Sequence, residues 1–162
     1  MASYFNLTLD TAAPAGVAVT INDGAIYTTT RNVTLYISTS DSNTDGYQMK
    51  IWGIDGISGE SGATWEAFAA TKTVSLPAGD GLKTVYIKVR DDVGNESAAA
   101  SDTITLNTSV PTVTVTGPDR TRLSMVSGFN KSIINFTVNE TFSEYKVCVV
   151  PASNSTQDAG EV

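Results

Sequence analysis

The segment Leu7-Thr8-Leu9-Asp10-Thr11-Ala12-Ala13-Pro14 returns 97 residues later as Ile104-Thr105-Leu106-Asn107-Thr108-Ser109-Val110-Pro111. That spacing constrains the fold more than any other feature of the chain. Both copies read apolar-Thr-Leu-Asx-Thr-x-x-Pro, and each runs into a β-branched stretch, Val17 to Ile21 in one case and Thr112 to Thr116 in the other. A second echo sets Tyr47-Gln48-Met49-Lys50-Ile51-Trp52 against Tyr145-Lys146-Val147-Cys148-Val149-Val150, at an offset of 98 residues. A repeat of this period implies one structural unit per ~100 residues, stacked in tandem. With 162 residues in the chain, the second copy spans about half a period.

Within the first period the side chains alternate. Val17, Val19 and Ile21 point one way, as do Val33, Leu35 and Ile37, then Tyr47, Met49 and Ile51, and later Val85, Ile87 and Val89. This is the period-2 pattern of half-buried strands. Turn-forming clusters separate them: Asn22-Asp23-Gly24, Asp41 to Gly46, Pro77 to Gly81, and Asp92-Val93-Gly94-Asn95. The pattern predicts strands near 5–9, 17–21, 32–38, 47–52, 72–76, 83–91 and 98–106, a short strand around Trp65, and then 112–116, 132–139 and 144–150. No ten-residue stretch carries a helical stripe. Thr and Ser are abundant and strong helix formers scarce, which agrees with strands. The expected fold class is all-β: an immunoglobulin-like β-sandwich over residues 1–108, whose size matches the ~100 residues of such a unit, followed by a partial second unit of the same kind over 109–162. That second unit is read either as part of a longer array or as completed by another chain through strand addition.

Several functions are excluded or disfavoured by composition. The sequence has no histidine, so it lacks the commonest general base and metal ligand, and no Ser-His-Asp or Cys-His machinery can form. A net charge of -7 repels nucleic acid. No apolar run approaches the ~20 residues that span a bilayer, so no membrane partner is expected. One cysteine, Cys148, allows no internal disulfide; between Val147 and Val149 it reads as a buried strand residue. Met1 to Asn6 contains no Lys or Arg and no apolar core of a secretion signal. The expectation is a soluble product made in a cytoplasm, unless a leader was trimmed before this sequence begins.

The stretch Trp65-Glu66-Ala67-Phe68, Leu76-Pro77-Ala78-Gly79-Asp80-Gly81 and Lys83 to Ser97, with its Gly-Asp-Gly, alternating Val-x-Ile-x-Val and Asp-Asp-Val-Gly-Asn-Glu-Ser, resembles the bacterial Ig-like modules of surface proteins and tailed-phage virion proteins. It covers residues 7 to 108 well and 109 to 150 more loosely. The resemblance implies a final β-hairpin closed by the Gly94-Asn95 turn, and a chain that departs from antibody domains in lacking their cysteine pair. It implies a non-enzymatic structural protein of a tailed-phage virion, such as a capsid decoration, head fibre or tail fibre. Such a protein would be made in the host cytoplasm and dock on capsid or tail subunits, and a homo-oligomer is compatible with it. The alternative it implies is a carbohydrate-binding Ig-like module of a bacterial cell-surface adhesin, recognising a host-surface glycan. Tyr4 and Phe5, which precede the repeat, are candidate docking anchors.

The candidate sites each carry a plainer reading beside the functional one. Asp41, Asn43 and Asp45, followed by Gly46, fit the first half of a calcium loop, with oxygen ligands at alternate positions. The twelfth position is Trp52, where a bidentate Glu is needed, and Asx-turn chemistry accounts for the same residues. No other cofactor is expected. Asp91 and Asp92 read as turn caps rather than as a catalytic pair, because neighbours on a strand face opposite sides. Arg120-Thr121-Arg122 reads as a solvated basic spot. Trp52 and Trp65 read as aromatics of the core or its edge.

Overall fold

A computed structural model describes residues 8–119, 132–140 and 144–147. Tyr4, Phe5, the Arg120-Thr121-Arg122 spot and Cys148 lie outside the described residues. The chain divides into two compact units, Met1–Ser109 and Val110–Val162.

The first unit is a two-sheet sandwich built from β1 (Ala18–Ile21), β2 (Tyr27–Thr28), β3 (Asn32–Ser38), β4 (Gln48–Trp52), β5 (Glu66–Ala67), β6 (Thr71–Ser75), β7 (Gly81–Arg90) and β8 (Ala100–Leu106). One sheet runs β1-β3-β6 and the other β2-β8-β7-β4-β5. Every pairing is antiparallel except that of β2 with β8. The alternating apolar residues do what their spacing demands: Val19, Ile21, Val33, Leu35 and Ile37 from one sheet meet Met49, Ile51, Val85, Ile87, Val89 and Ile104 from the other, with Val74 and Leu76 closing the core. Each such residue, taken out of water, contributes about 1.5–3 kcal/mol. An Ig-like β-sandwich follows from this strand order and from the two facing apolar sets.

Turn chemistry closes the unit. Asn22 and Asp23 adopt positive φ (47° and 57°) in a 3₁₀ turn after β1, and the Asn22 Oδ1 accepts the Thr34 N–H at 2.8 Å. Gly53 ends β4 at φ +80°, where a Cβ would lie 2.1 Å from the Thr84 carbonyl oxygen on β7. Only glycine permits that approach. Across the sheet edges, the Ile21 N–H on β1 donates to Asp102 Oδ2 on β8 at 2.7 Å, tying one sheet to the other.

The expected strand at 32–38 coincides with β3, and its neighbours differ by one or two residues at their ends. Two readings need correction: of the strands expected at 5–9 and 144–150, the described residues 8, 9 and 144–147 belong to no strand. Trp52, 8% exposed at the end of β4, and the half-buried Trp65 lie at the edge of the core, as expected, and Trp52 stacks on Tyr86 of β7 at 5.4 Å and 6° between ring planes.

The second unit contains β9 (Val113–Pro118) and β10 (Ile134–Val138), paired antiparallel with Val115 opposite Phe136 and a register shift between Ile134 and Asn135.

Candidate functional site

Three surfaces collect the chemically distinctive side chains. The first is the pole of the sandwich where the chain enters. Asp91, buried at the end of β7, accepts through Oδ1 the N–H groups of Val93 (3.1 Å) and Asn95 (2.7 Å) and through Oδ2 the Asn95 Nδ2 (2.8 Å). Burial by itself would push its carboxyl up; the donors of Asn95 and Val93 outweigh it and hold the group below the usual carboxylate range. The turn-capping role expected of Asp91 is what the geometry provides. Asp92 instead packs against Gly46, whose Cβ, were there one, would meet it at 2.8 Å.

The Asp41–Asp45 loop lies at the same pole. Asp41 Oδ2 accepts from the Ala15 N–H (3.3 Å), Thr39 Oγ1 (3.0 Å) and Tyr47 Oη (3.2 Å). Asn43 Oδ1 accepts the Asp45 N–H at 3.0 Å, which is an Asx turn. Among the described residues, no group of three or more Asp, Glu or Cys side chains is placed to hold a metal ion. Burial, and then the charge and hydrogen bond of Asp41, push the Tyr47 phenol up. The loop's carboxylate therefore anchors the incoming segment, a role its sequence spacing did not suggest. Asn95 completes the anchor, its Nδ2 reaching the Asp10 and Ala12 carbonyls at 3.3 and 3.5 Å.

The second surface is the outer face of the five-stranded sheet. Register pairs Gln48 with Arg90, Lys50 with Lys88 and Trp52 with Tyr86, so alternation places two facing lysines on one surface. The loop after β4 answers that charge: Glu60 bridges Lys50 and Lys88 at 2.8 and 2.9 Å, and Glu96 lies 3.6 Å from Lys88. The hydrogen bonds from Lys50 and then Lys88 lower the Glu60 carboxyl, and Glu60 in turn raises Lys88. Trp65 sits with Lys50 Nζ 4.7 Å and the Arg90 guanidinium 4.5 Å from its ring centroid, while Arg90 forks onto Gln48 Oε1. Lys72 pairs with Glu66. These aromatics are engaged by cations and by each other rather than offered as a bare platform.

The third surface belongs to the second unit. Val113, Val115, Ile134, Phe136 and Val138 form one apolar face, and with Tyr145 and Val147 they line an open cavity of about 470 Å³. The Phe136 and Tyr145 rings lie 5.4 Å apart, tilted by 47°. β9 and β10 pair antiparallel, as β1 and β3 do. Val115 is 62% and Phe136 38% exposed.

The fold and these surfaces define an Ig-like β-sandwich module followed by a second unit that contains an antiparallel strand pair. Among solved structures, the chain is similar to the PKD domain of an M14-like peptidase from a Thermoplasmatales archaeon, with 21% identity and a TM-score of 0.43 over 59% of this chain and 96% of that one. No protein-family model and no curated protein matches the sequence.

Proposed function

We propose that this chain is a non-enzymatic structural protein of a tailed-phage virion, an Ig-like module that decorates the capsid or contributes to a head or tail fibre. The observation that supports this reading is the apolar face of β9 and β10, exposed among the described residues and of the composition that protein partners cover. The resemblance of residues 65–97 to Ig-like modules of virion proteins supports the choice of particle. The ion-paired outer face around Glu60 suits a module standing in solvent, because its cations are neutralised within the fold. A glycan-binding module would present an uncovered aromatic platform, whereas Trp52 and Trp65 are covered. Mass spectrometry of purified particles whose genome carries this sequence tests the proposal. The expected result is the product at a fixed copy number per particle, and particles free of it would sink the reading.

A further inference from the structure

Four Asp-Gly steps occur in the chain, at Asp23-Gly24, Asp45-Gly46, Asp55-Gly56 and Asp80-Gly81. In such a step the amide nitrogen of glycine, uncrowded by any side chain, can attack the carboxyl carbon of the preceding aspartate. The four are alike in backbone. Each lies at a bend of the chain with its glycine at positive φ, 84°, 75°, 77° and 115° in turn, and each aspartate is exposed. What separates them is the state of the carboxyl.

Two carboxyls are held. Asp55 Oδ1 lies 2.8 Å from the Arg31 guanidinium. Asp80, just before β7 and so at the pole opposite Asp91, accepts through Oδ1 the Thr108 N–H (2.9 Å) and hydroxyl (2.8 Å) and through Oδ2 the Ser109 hydroxyl (2.9 Å). Thr108 and Ser109 thereby keep the Asp80 carboxyl below the usual carboxylate range. The other two are free: neither the Asp23 nor the Asp45 carboxyl has a hydrogen-bond or ion-pair partner among the described residues. Ring closure requires the neutral acid, from which water leaves, and a carboxyl turned toward the glycine nitrogen. A carboxylate kept ionised by donors that point it elsewhere meets neither condition.

We infer that Asp23 and Asp45 are sites of spontaneous isomerisation to isoaspartate in the folded protein, whatever its biological setting, while Asp55 and Asp80 are protected by the partners of their carboxyls. At Asp45 the Gly46 nitrogen bonds to the Asp45 Cγ, the amide proton and the carboxyl hydroxyl leave as water, and a cyclic succinimide forms. Water then adds at the Asp45 carbonyl carbon and breaks its bond to the Gly46 nitrogen, so that the chain runs on through Cβ and Cγ. One water is lost and one regained, and nothing is oxidised or reduced.

The product lengthens the backbone by one methylene. In the Asp45 loop that falls between Asn43, whose Oδ1 holds the Asp45 N–H, and Tyr47, whose N–H is held by the Thr44 carbonyl and whose hydroxyl reaches Asp41. Asp41 in turn holds the Ala15 N–H, so isomerisation at Asp45 loosens the anchor of the incoming segment.

Ageing the 162-residue chain at neutral pH, both folded and in guanidinium chloride, tests this. Tryptic cleavage after Arg31, Lys50, Lys72 and Lys83 puts each step in its own peptide, and electron-transfer fragmentation distinguishes isoaspartate from aspartate at equal mass. In guanidinium all four steps are expected to react at similar rates. In the folded chain Asp55 and Asp80 fall severalfold behind Asp23 and Asp45. Thr108→Ala with Ser109→Ala takes away both hydroxyl donors, raises the rate at Asp80 severalfold and leaves Asp55 unchanged. Amide exchange at residues 10–15 quickens in step with isoaspartate at Asp45. Folded-state rates at Asp55 or Asp80 as high as those at Asp23 and Asp45 would overturn the inference, and so would a folded chain in which Asp23 or Asp45 stays unmodified. A double variant whose Asp80 reacts no faster would overturn the protective role of Thr108 and Ser109, and constant exchange at residues 10–15 would overturn the link to the anchor.

Discussion

Asp91 and Asn95 hold each other in both directions: the Asp91 N–H donates to the Asn95 carbonyl at 3.2 Å, while the Asn95 N–H and Nδ2 donate to the two Asp91 carboxylate oxygens at 2.7 and 2.8 Å. The pair closes the β7–β8 turn and, through the same Asn95 Nδ2, fastens residues 10–12. Asp91→Ala is expected to lower the thermal midpoint more than Asp91→Asn, since the amide keeps one acceptor for the backbone donors but opposes Asn95 Nδ2 with a donor of its own. Asn95→Ala should in addition speed amide exchange and proteolysis at residues 8–14. Equal midpoints for the two Asp91 variants would show that the acceptor offered to the Val93 and Asn95 N–H groups contributes nothing.

The pH profile follows from three carboxyls. Asp91 is lowered because its donors outweigh burial, Glu60 because of Lys50 and Lys88, and Asp80 because of Thr108 and Ser109. A group whose folded pKa is depressed contributes stability that is present above its unfolded value and lost as pH falls through the folded one. Stability should therefore hold above the ordinary values of 4.5 for Glu60 and 3.8 for the aspartates and decline as pH drops below them. On the alkaline side, Lys88 is raised, so its contribution is complete below 10.5 and disappears as pH climbs through its folded value. Urea titrations at stepped pH check both limbs; Glu60→Gln should flatten part of each, since it is the partner of Lys88.

Gly53→Ala combines a left-handed backbone with a Cβ placed 2.1 Å from the Thr84 carbonyl oxygen. The expected loss is about 2–5 kcal/mol, from conformational strain plus displacement of β7. Gly79, at φ +83° with nothing within 4 Å of its Cβ position, supplies the control. Gly79→Ala should cost only the conformational share, about 1–2 kcal/mol. Denaturant unfolding distinguishes them.

Ile87→Ala empties a fully buried site on β7 and should cost about 2–5 kcal/mol. Phe136→Ala in the second unit, where the ring is already 38% exposed, should leave the unfolding of the first unit untouched. Differential scanning calorimetry resolves the two outcomes.

Calcium is a direct check on the Asp41 loop. Asp41 Oδ2 is taken by Ala15, Thr39 and Tyr47, and Asn43 Oδ1 by Asp45. Millimolar calcium should leave the thermal midpoint unchanged, and a saturable rise would place the ion there.

Much of the sandwich was written in local alternation. β3, for instance, announces itself because Val33, Leu35 and Ile37 must share a face. β2 is two residues long and pairs in parallel with β8, so no periodicity could reveal it. The salt-bridged outer face was half legible: Lys50 and Lys88 alternate with core residues, but their partner Glu60 comes from a loop whose path depends on Gly53 passing over β7. Trp52 was legible as an aromatic of the core or its edge, and it is 8% exposed, but its stacking on Tyr86 depends on the register of β4 with β7. The bond from the Ile21 N–H to Asp102 spans 81 residues and joins a backbone group to a side chain, a relation no sequence pattern encodes.

The anchors of residues 10–12 beside Asn95 at one pole and of residues 108–109 beside Asp80 at the other also set how the module meets mechanical load. Tension applied between those two points would run along the strands. The ladders that β8 makes with β7 and β2 would then be sheared as a set, all their hydrogen bonds strained at once, instead of being unzipped one after another. A module anchored this way is suited to carrying tension.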